Sequence, residues 1–263
     1  MNKTNPIGIF DSGVGGTSIF KEVHRLLPLE HIIYLADSKN APYGERSAAE
    51  IMELSHKNTS KLVKAGCKLI IVACNTATTN AITYLRKTFD VPIIGIEPAI
   101  KPAALNSKNK VIGILATKGT LSSELFTKTS DLFTKNIEVI EVVGKGLVEA
   151  IEAGKENDPV TLKLLEKLLQ PMLAKEIDYL VLGCSHYPYL IPQLKKLLPK
   201  KVNIIDSGRG VARQTKIVLK SLDLLNEEPQ FKKPQFYTNK DIKVLAHLIE
   251  AGKNNFNVSY LDF

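Results

Sequence analysis

Short apolar runs alternate with amphipathic stretches along nearly the whole chain. The segments IGIF (7–10), IIYLA (32–36), LIIVA (69–73), PIIGI (92–96), VIGIL (111–115), EVIEVV (138–143), YLVLG (179–183) and NIID (203–206) read as strands. Their apolar positions are continuous rather than alternating, the pattern of strands covered on both faces of a sheet. The stretches between them carry helix signals. Ser47-Ala-Ala-Glu50 is a capping box, in which a hydroxyl and a carboxylate each satisfy a backbone N–H, and it predicts a helix running to about Lys64. Asp158-Pro159 supplies an N-cap and a first-turn proline for a helix ending near Lys175. Strand and helix alternating in this way predict an α/β fold with mainly parallel sheets.

The pattern also repeats. IGIFDSGVGG (7–16) resembles IGILATKGT (112–120), and LIIVACNTATT (69–79) resembles YLVLGCSHYPY (179–189), at offsets of 105 and 110 residues. Each half holds a strand ending in a hydroxyl-bearing loop and, later, a strand ending in cysteine. Two similar α/β domains related by a pseudo-twofold are therefore expected, one from residues 1–97 with 208–263 and the other from 98–207. The chain would cross at Glu97-Pro98 and return around Asp206-Ser207-Gly208. Ligands of open α/β sheets bind beyond the carboxyl ends of the strands. Two such domains face to face would enclose a cleft with one cysteine entering from each side.

Composition narrows the setting. With 44% hydrophobic and 24% charged residues over 263 positions, the chain is globular rather than disordered. No apolar run approaches the roughly 18 residues of a membrane span, and Met1 to Asn5 do not resemble a signal peptide. Three cysteines without CxxC or zinc spacing argue against a disulfide framework and point to a reducing cytosol. The net charge is +8, but the lysines fall in scattered pairs such as Lys195/Lys196 and Lys232/Lys233, without interleaved stacking aromatics. A solvated surface explains them better than a nucleic-acid face. His24, His31, His56, His186 and His247 form no HxxxH or Cys/His cluster, so no metal site is expected.

Chemistry concentrates at Cys74 and Cys184. Each directly follows an apolar strand and precedes polar, helix-opening residues, Asn75-Thr76 and Ser185-His186. A helix N-terminus favours thiolate, so these positions suit reactive thiols. Cys67 lacks both the polar escort and a counterpart in the other half, and reads as a small buried hydrophobe. Two opposed thiols can invert a stereocentre, one removing a proton from one face of a carbon while the other delivers a proton to the opposite face. Each must approach the carbon to about 3–3.5 Å, which sets the sulfurs about 7 Å apart. Asp11-Ser12 and Thr117 end the equivalent first strands; Asp11 could assist Cys74 and His186 could assist Cys184. Glu152 is a weaker helper, since an exposed helical Glu is the default. Gly13-Val14-Gly15-Gly16 offers backbone donors to an anion. With Asp37 lying 24 residues after Gly13, it also approaches a dinucleotide fingerprint, but the third glycine is missing and Asp11 would face the pyrophosphate. The polar loop Lys39 to Arg46 could form one wall of the cleft.

Taken together, IGIFDSGVGG, APYGERS, IIVACNTAT, IGILATKGT and LGCSHYPYL resemble the glutamate racemases of the aspartate/glutamate racemase family, in order from residue 7 to about 210. The resemblance implies two α/β domains with the site between them, no cofactor, and interconversion of L- and D-glutamate to supply D-glutamate for peptidoglycan. It places the catalytic cysteines at Cys74, for D-glutamate, and Cys184, for L-glutamate, with Asp11, Glu152 and His186 assisting. It places substrate contacts on Asp11, Ser12, Tyr43, Gly44, Asn75, Thr76, Thr117, Thr120, Ser185 and His186. It further implies a small-molecule substrate as partner and a homodimer. Where the family usually has Thr after the second cysteine, this chain has Ser185, which keeps the hydroxyl and loses a methyl. The first strand begins almost at once, without the extension of racemases activated by a peptidoglycan precursor, so such regulation is not expected. Alternatives are a racemase for aspartate or another small amino acid, and a non-catalytic bilobed amino-acid binder.

Overall fold

A computed structural model describes residues 2–229 and 232–263. The first part of the chain forms β1 (Ile7–Asp11), α1 (Thr17–Leu26), β2 (Ile32–Ala36), a 3-10 turn (Tyr43–Glu45), α2 (Ala48–Lys64), β3 (Leu69–Val72), α3 (Asn75–Thr88) and β4 (Ile93–Gly95). The middle forms α4 (Ile100–Asn106), β5 (Val111–Ala116), α5 (Lys118–Leu121), α6 (Glu124–Phe133), β6 (Glu138–Val143), α7 (Leu147–Glu152), α8 (Pro159–Ala174), β7 (Tyr179–Gly183), a 3-10 turn (Tyr187–Leu190), α9 (Ile191–Leu197) and β8 (Asn203–Ile205). The rest forms α10 (Gly208–Ser221), β9 (Gln235–Thr238), α11 (Ile242–Leu248), α12 (Ala251–Asn254) and β10 (Asn257–Tyr260). The capping box is present, with Ser47 N–H donating to Glu50 Oε2 at 2.9 Å and Glu50 N–H to Ser47 Oγ at 3.3 Å.

Two sheets result, ordered β10-β9-β2-β1-β3-β4 and β6-β5-β7-β8. Every pairing is parallel, so the expected α/β class with mainly parallel sheets holds. Within the larger sheet the run β2-β1-β3-β4 has the same order as the whole of the smaller one, so β1 corresponds to β5 and β3 to β7. In each, the chain leaves the central strand in opposite directions, and the gap between β1 and β3, or β5 and β7, is the switch point where ligands bind. Asp11 and Cys74 stand at one such gap, Thr117 and Cys184 at the other.

Two strands lie outside the apolar-run pattern. β9 is buried only at alternate positions and β10 only in part, because they form one margin of the larger sheet, where one face or edge meets water. The expectation of continuous burial also fails for β6 and β8. These edge strands have no fully buried residue, and Glu138 and Glu141 lie in β6. The largest apolar cluster is shared by the two sheets, running from Ile9, Val14 and Phe20 to Leu115, Leu147 and Leu182. Among the described residues, no helix is long and apolar enough to cross a membrane.

One buried ion pair fastens the larger sheet to the return segment. Lys68 Nζ lies 2.6 Å from Glu30 Oε2, both side chains being wholly inaccessible. The ammonium also donates to the carbonyls of Lys3 and Leu224, and Asn226 N–H donates to Glu30 Oε1 at 2.9 Å. Removing one member of a buried pair strands the other charge, at a cost of about 3–5 kcal/mol. Lys68→Ala is therefore expected to lower the unfolding free energy in urea by about that amount; a loss below about 1 kcal/mol would mean that the pair is solvated and weak.

Candidate active site

The site is assembled from four strand ends. β1 delivers Asp11 and Ser12, β3 delivers Cys74, β5 delivers Thr117 and β7 delivers Cys184, Ser185 and His186. Cys74 caps α3, its sulfur accepting Ala77 N–H at 3.4 Å and donating to Ser12 Oγ at 3.5 Å. Thr117 caps α5 by accepting Thr120 N–H at 3.2 Å. Helix first turns leave N–H groups without intrahelical acceptors, so Asn75 and Thr76 bring unspent donors to the same place.

One cavity is lined by Ser12, Pro42, Tyr43, Gly44, Cys74, Asn75, Thr76, Thr117, Val148, Cys184, Ser185 and His186. The two cysteines reach it from different sheets. Asp11, Glu152 and Thr120, also singled out in the sequence, stand behind this wall. Thr120 Oγ1 lies 3.0 Å from Thr117 Oγ1, which in turn lies 2.9 Å from Thr76 Oγ1, a hydroxyl chain joining the two sheets. Pro42 and Val148 were not singled out. Pro42 adjoins Tyr43 in a loop already suspected, but Val148 is an apolar helix residue with no distinguishing signal. The space is about 10 Å³, roughly what one water needs. The walls must part to admit anything larger. Asn75 is 2% exposed, and both polar atoms of its side-chain amide lack a hydrogen-bond partner among the described residues. A buried amide with unmet donors and acceptor is suited to a polar ligand.

Behind the wall lies a network of acids around His186. Glu152 Oε1 lies 2.6 Å from His186 Nε2 and accepts Val14 N–H at 2.6 Å. Asp11 accepts Gly16 N–H at 2.8 Å and Ser185 Oγ–H at 3.1 Å, and its Oδ2 is 4.0 Å from His186 Nδ1. Cys184 Sγ is 3.8 Å from that same nitrogen. Three sequence expectations change here. Glu152 is no exposed helical residue; its side chain is 7% accessible, because α7 is turned toward the β1–α1 loop. Asp11 spends its hydrogen bonds on Gly16 and Ser185, while the Cys74 thiol turns to Ser12. The N–H groups of Val14 and Gly16, offered to an external anion, are taken by Glu152 and Asp11.

The glycines follow from this packing. A Cβ at Gly13 would come within 1.9 Å of Glu152 Oε1, and one at Gly15 within 2.2 Å of His186 Nδ1 and 2.6 Å of the His186 backbone nitrogen. Asp37 is buried too, accepting Tyr43 O–H at 2.5 Å and the Asn239 amide at 2.6 Å. The features resembling a dinucleotide fingerprint thus serve internal contacts. Among the described residues, no group of three or more His, Cys, Asp or Glu could hold a metal ion.

Burial dominates the electrostatics of the site. Burial pushes the Cys74 thiol well up, and Asp11 adds to this, outweighing the Ala77 N–H and Ser12 contacts that favour thiolate. The helix N-terminus still favours the thiolate at Cys74, through the Ala77 N–H, but the expected net lowering is outweighed by burial. Burial opposes an imidazolium at His186, but its hydrogen bonds to Cys184 and Glu152 and the charge of Asp11 prevail, holding it well above the ordinary histidine value. Burial raises Asp11, partly offset by His186 and Gly16 N–H. Cys67 is pushed up to about 12 by burial alone; it packs beneath Gly8, outside the cavity lining.

Residues 7–215 match the sequence pattern of the Asp/Glu/Hydantoin racemase family. The chain belongs to that family. A glutamate racemase of Ectopseudomonas mendocina is 44% identical over 245 residues, covering 92% of this chain and 93% of the relative. The solved glutamate racemase isoform RacE1 of Bacillus anthracis superposes with a TM-score of 0.86 at 29% identity, over 100% of this chain and 99% of that one. The Escherichia coli glutamate racemase, solved with L-glutamate and the activator UDP-MurNAc-Ala, also superposes at 0.86, with 32% identity and 98% coverage of both chains. The racemase resemblance drawn from the five motifs is borne out.

Two outcomes are expected of this family member's site. In a pH titration of thiolate absorbance, the difference between the wild-type protein and Cys74→Ser should show no step near the ordinary thiol value of about 8.5; a step there would contradict the raised Cys74. Gly15→Ala should keep the circular dichroism of the parent while displacing His186, with activity falling about 100-fold, the usual cost of an ångström-scale misplacement. Unchanged activity would show that the loop absorbs the methyl.

Proposed function

We propose that the chain interconverts L- and D-glutamate by two-thiol proton transfer at the α-carbon. One observation carries this reading: the cysteines ending corresponding strands of the two sheets, β3 and β7, line one small cavity. The glutamate racemase names of the relatives, and the L-glutamate held by the Escherichia coli enzyme, supply the substrate. Residues 1–97 with 208–263, and 98–207, are taken as the two lobes that close on it; membership of the two sheets supports this division. In a reducing cytosol the product would feed peptidoglycan synthesis.

The mechanism follows from the residues. A thiolate on one side removes the α-proton, the pair of electrons stays on carbon and spreads into the α-carboxylate, and the opposite thiol gives its proton to the other face. Cys184 removes the proton from L-glutamate and Cys74 from D-glutamate, as the family pattern implies. The carbanion is the costly species, so donors already fixed at the carboxylate contribute most. The Asn75 amide, the first-turn N–H groups of α3 and the hydroxyls of Ser12, Thr76, Thr117 and Ser185 are the available set. A negative charge on Cys184 is compensated at once by the His186 imidazolium 3.8 Å away, whereas a charge on Cys74 meets Asp11. The empty site therefore rests with Cys74 protonated, holding the proton that the face opposite Cys184 is to receive. A substrate ammonium group entering the cavity lowers the cost of charge on the Cys74 side.

Cys74→Ser keeps volume and hydrogen bonding, so its melting temperature should stay near that of the parent while racemisation is lost. In deuterated water the wild-type protein should place solvent deuterium at the α-position starting from either enantiomer. Near-normal racemisation by Cys74→Ser, or glutamate binding without deuterium uptake by the wild type, overturns the proposal.

A further inference from the structure

The Cys184 side is held by a helix of the opposite sheet. α1 begins just beyond the β1 loop, and its first two residues grip the segment that carries Cys184. Ser18 Oγ donates to the Ser185 carbonyl at 2.8 Å. Thr17 Oγ1 lies 2.5 Å from Tyr189 O–H and 2.5 Å from the Val14 carbonyl. A hydroxyl has one proton, and a carbonyl can only accept it, so Thr17 donates to Val14 and Tyr189 donates to Thr17. Lys21, one turn further along α1, lies over the Tyr189 ring at 5.0 Å from its centre. The two hydrogen bonds bracket His186, one at Ser185 before it and one at Tyr189 after it. None of Thr17, Ser18 or Tyr189 lines the cavity.

The same β1–α1 segment also reaches the other thiol, through Ser12 to Cys74 Sγ at 3.5 Å. It therefore spans from one base to the other. The geometry points to Ser18 and Tyr189 as positioning residues that set the Cys184 segment, and with it the Cys184-to-Cys74 separation, across the substrate. This rests on the two-thiol reading. Loss of either hydroxyl changes no residue of the cavity lining but lets the 185–189 segment drift, Ser185 and His186 with it, so the step in which Cys184 moves the proton slows selectively.

L- and D-glutamate have equal free energy, so kcat/KM must be the same from either side in every variant, and rates alone cannot show which thiol was disturbed. Primary isotope effects can. Ser18→Ala, and independently Tyr189→Phe, are to be compared with the wild-type protein using α-deuterated L- and D-glutamate. The expected result is KM nearly unchanged and kcat lowered about tenfold, a smaller loss than full misplacement of a base. The isotope effect on kcat/KM should rise for L-glutamate, whose proton Cys184 removes. It should fall for D-glutamate, where reprotonation by Cys184 becomes limiting. Ser18→Thr, which retains the hydroxyl, should restore both rate and symmetry. Equal isotope effects for the two enantiomers, a rise on the D-glutamate side, or unchanged kcat in Tyr189→Phe would overturn the assignment. Near-normal racemisation by Cys74→Ser would instead overturn the two-thiol reading, which keeps the two failures distinct. Tyr189→Phe removes one oxygen from an otherwise unchanged ring, so it serves even if Ser18→Ala folds poorly.

Discussion

One buried carboxylate joins the two sheets at the place where the thiols meet. Glu152, from α7 of the smaller sheet, accepts the Val14 N–H of the β1–α1 loop and contacts the His186 ring nitrogen, both at 2.6 Å. Such charge-assisted contacts are short and strong, and burial keeps water from competing for them. Without Glu152, the Val14 N–H and the Nε2 of His186 would each be buried without a partner, a penalty of about 1–3 kcal/mol apiece. Much else follows from this contact. The loop must pass so close to His186 and Glu152 that positions 13 and 15 have no room for a side chain. Asp11, held by Gly16 N–H in the same loop, then reaches Ser185 on the far side.

The same closeness makes the thiols unequal. Both are buried, but Cys74 faces the Asp11 carboxylate, which together with burial holds its thiol protonated, while Cys184 lies beside the His186 ring. A helix N-terminus stabilises a charge by about 0.3–1 kcal/mol, up to about 2 when partly buried. Complete burial moves an ionisable group by up to about 3–5 pKa units, each unit worth about 1.4 kcal/mol. The larger effect wins at Cys74. With so little open space in the cavity, its walls have to part as a ligand enters, and the ligand's own charge becomes part of the electrostatic balance.

Much of this was legible in the chain. Strand ends followed by polar, helix-opening residues marked the four corners of the site, because a strand buried on both faces demands a continuous apolar run and its termination is therefore sharp. The repeat announced that two such ends would face each other, and the shared strand order of the sheets agrees with it. What remained hidden was tertiary. Glu152 looked like any solvent-facing helical acid because nothing local records that α7 turns toward Val14. The Gly13 to Gly16 loop looked like an anion cradle because donors are visible in sequence while the carboxylates that fill them lie elsewhere. Val148 carries no polar signal at all. β9 and β10 escaped because strands at a sheet margin need only part of their surface apolar.

The central claim is that two sulfurs approach a single α-carbon from opposite faces. A crystal structure of the protein with D-glutamate bound tests it most directly. The account predicts the Cys74 and Cys184 sulfurs on either side of the α-carbon, each within about 3.5 Å of it and about 7 Å from one another. Both sulfurs on one face, or a ligand seated away from them, would contradict it.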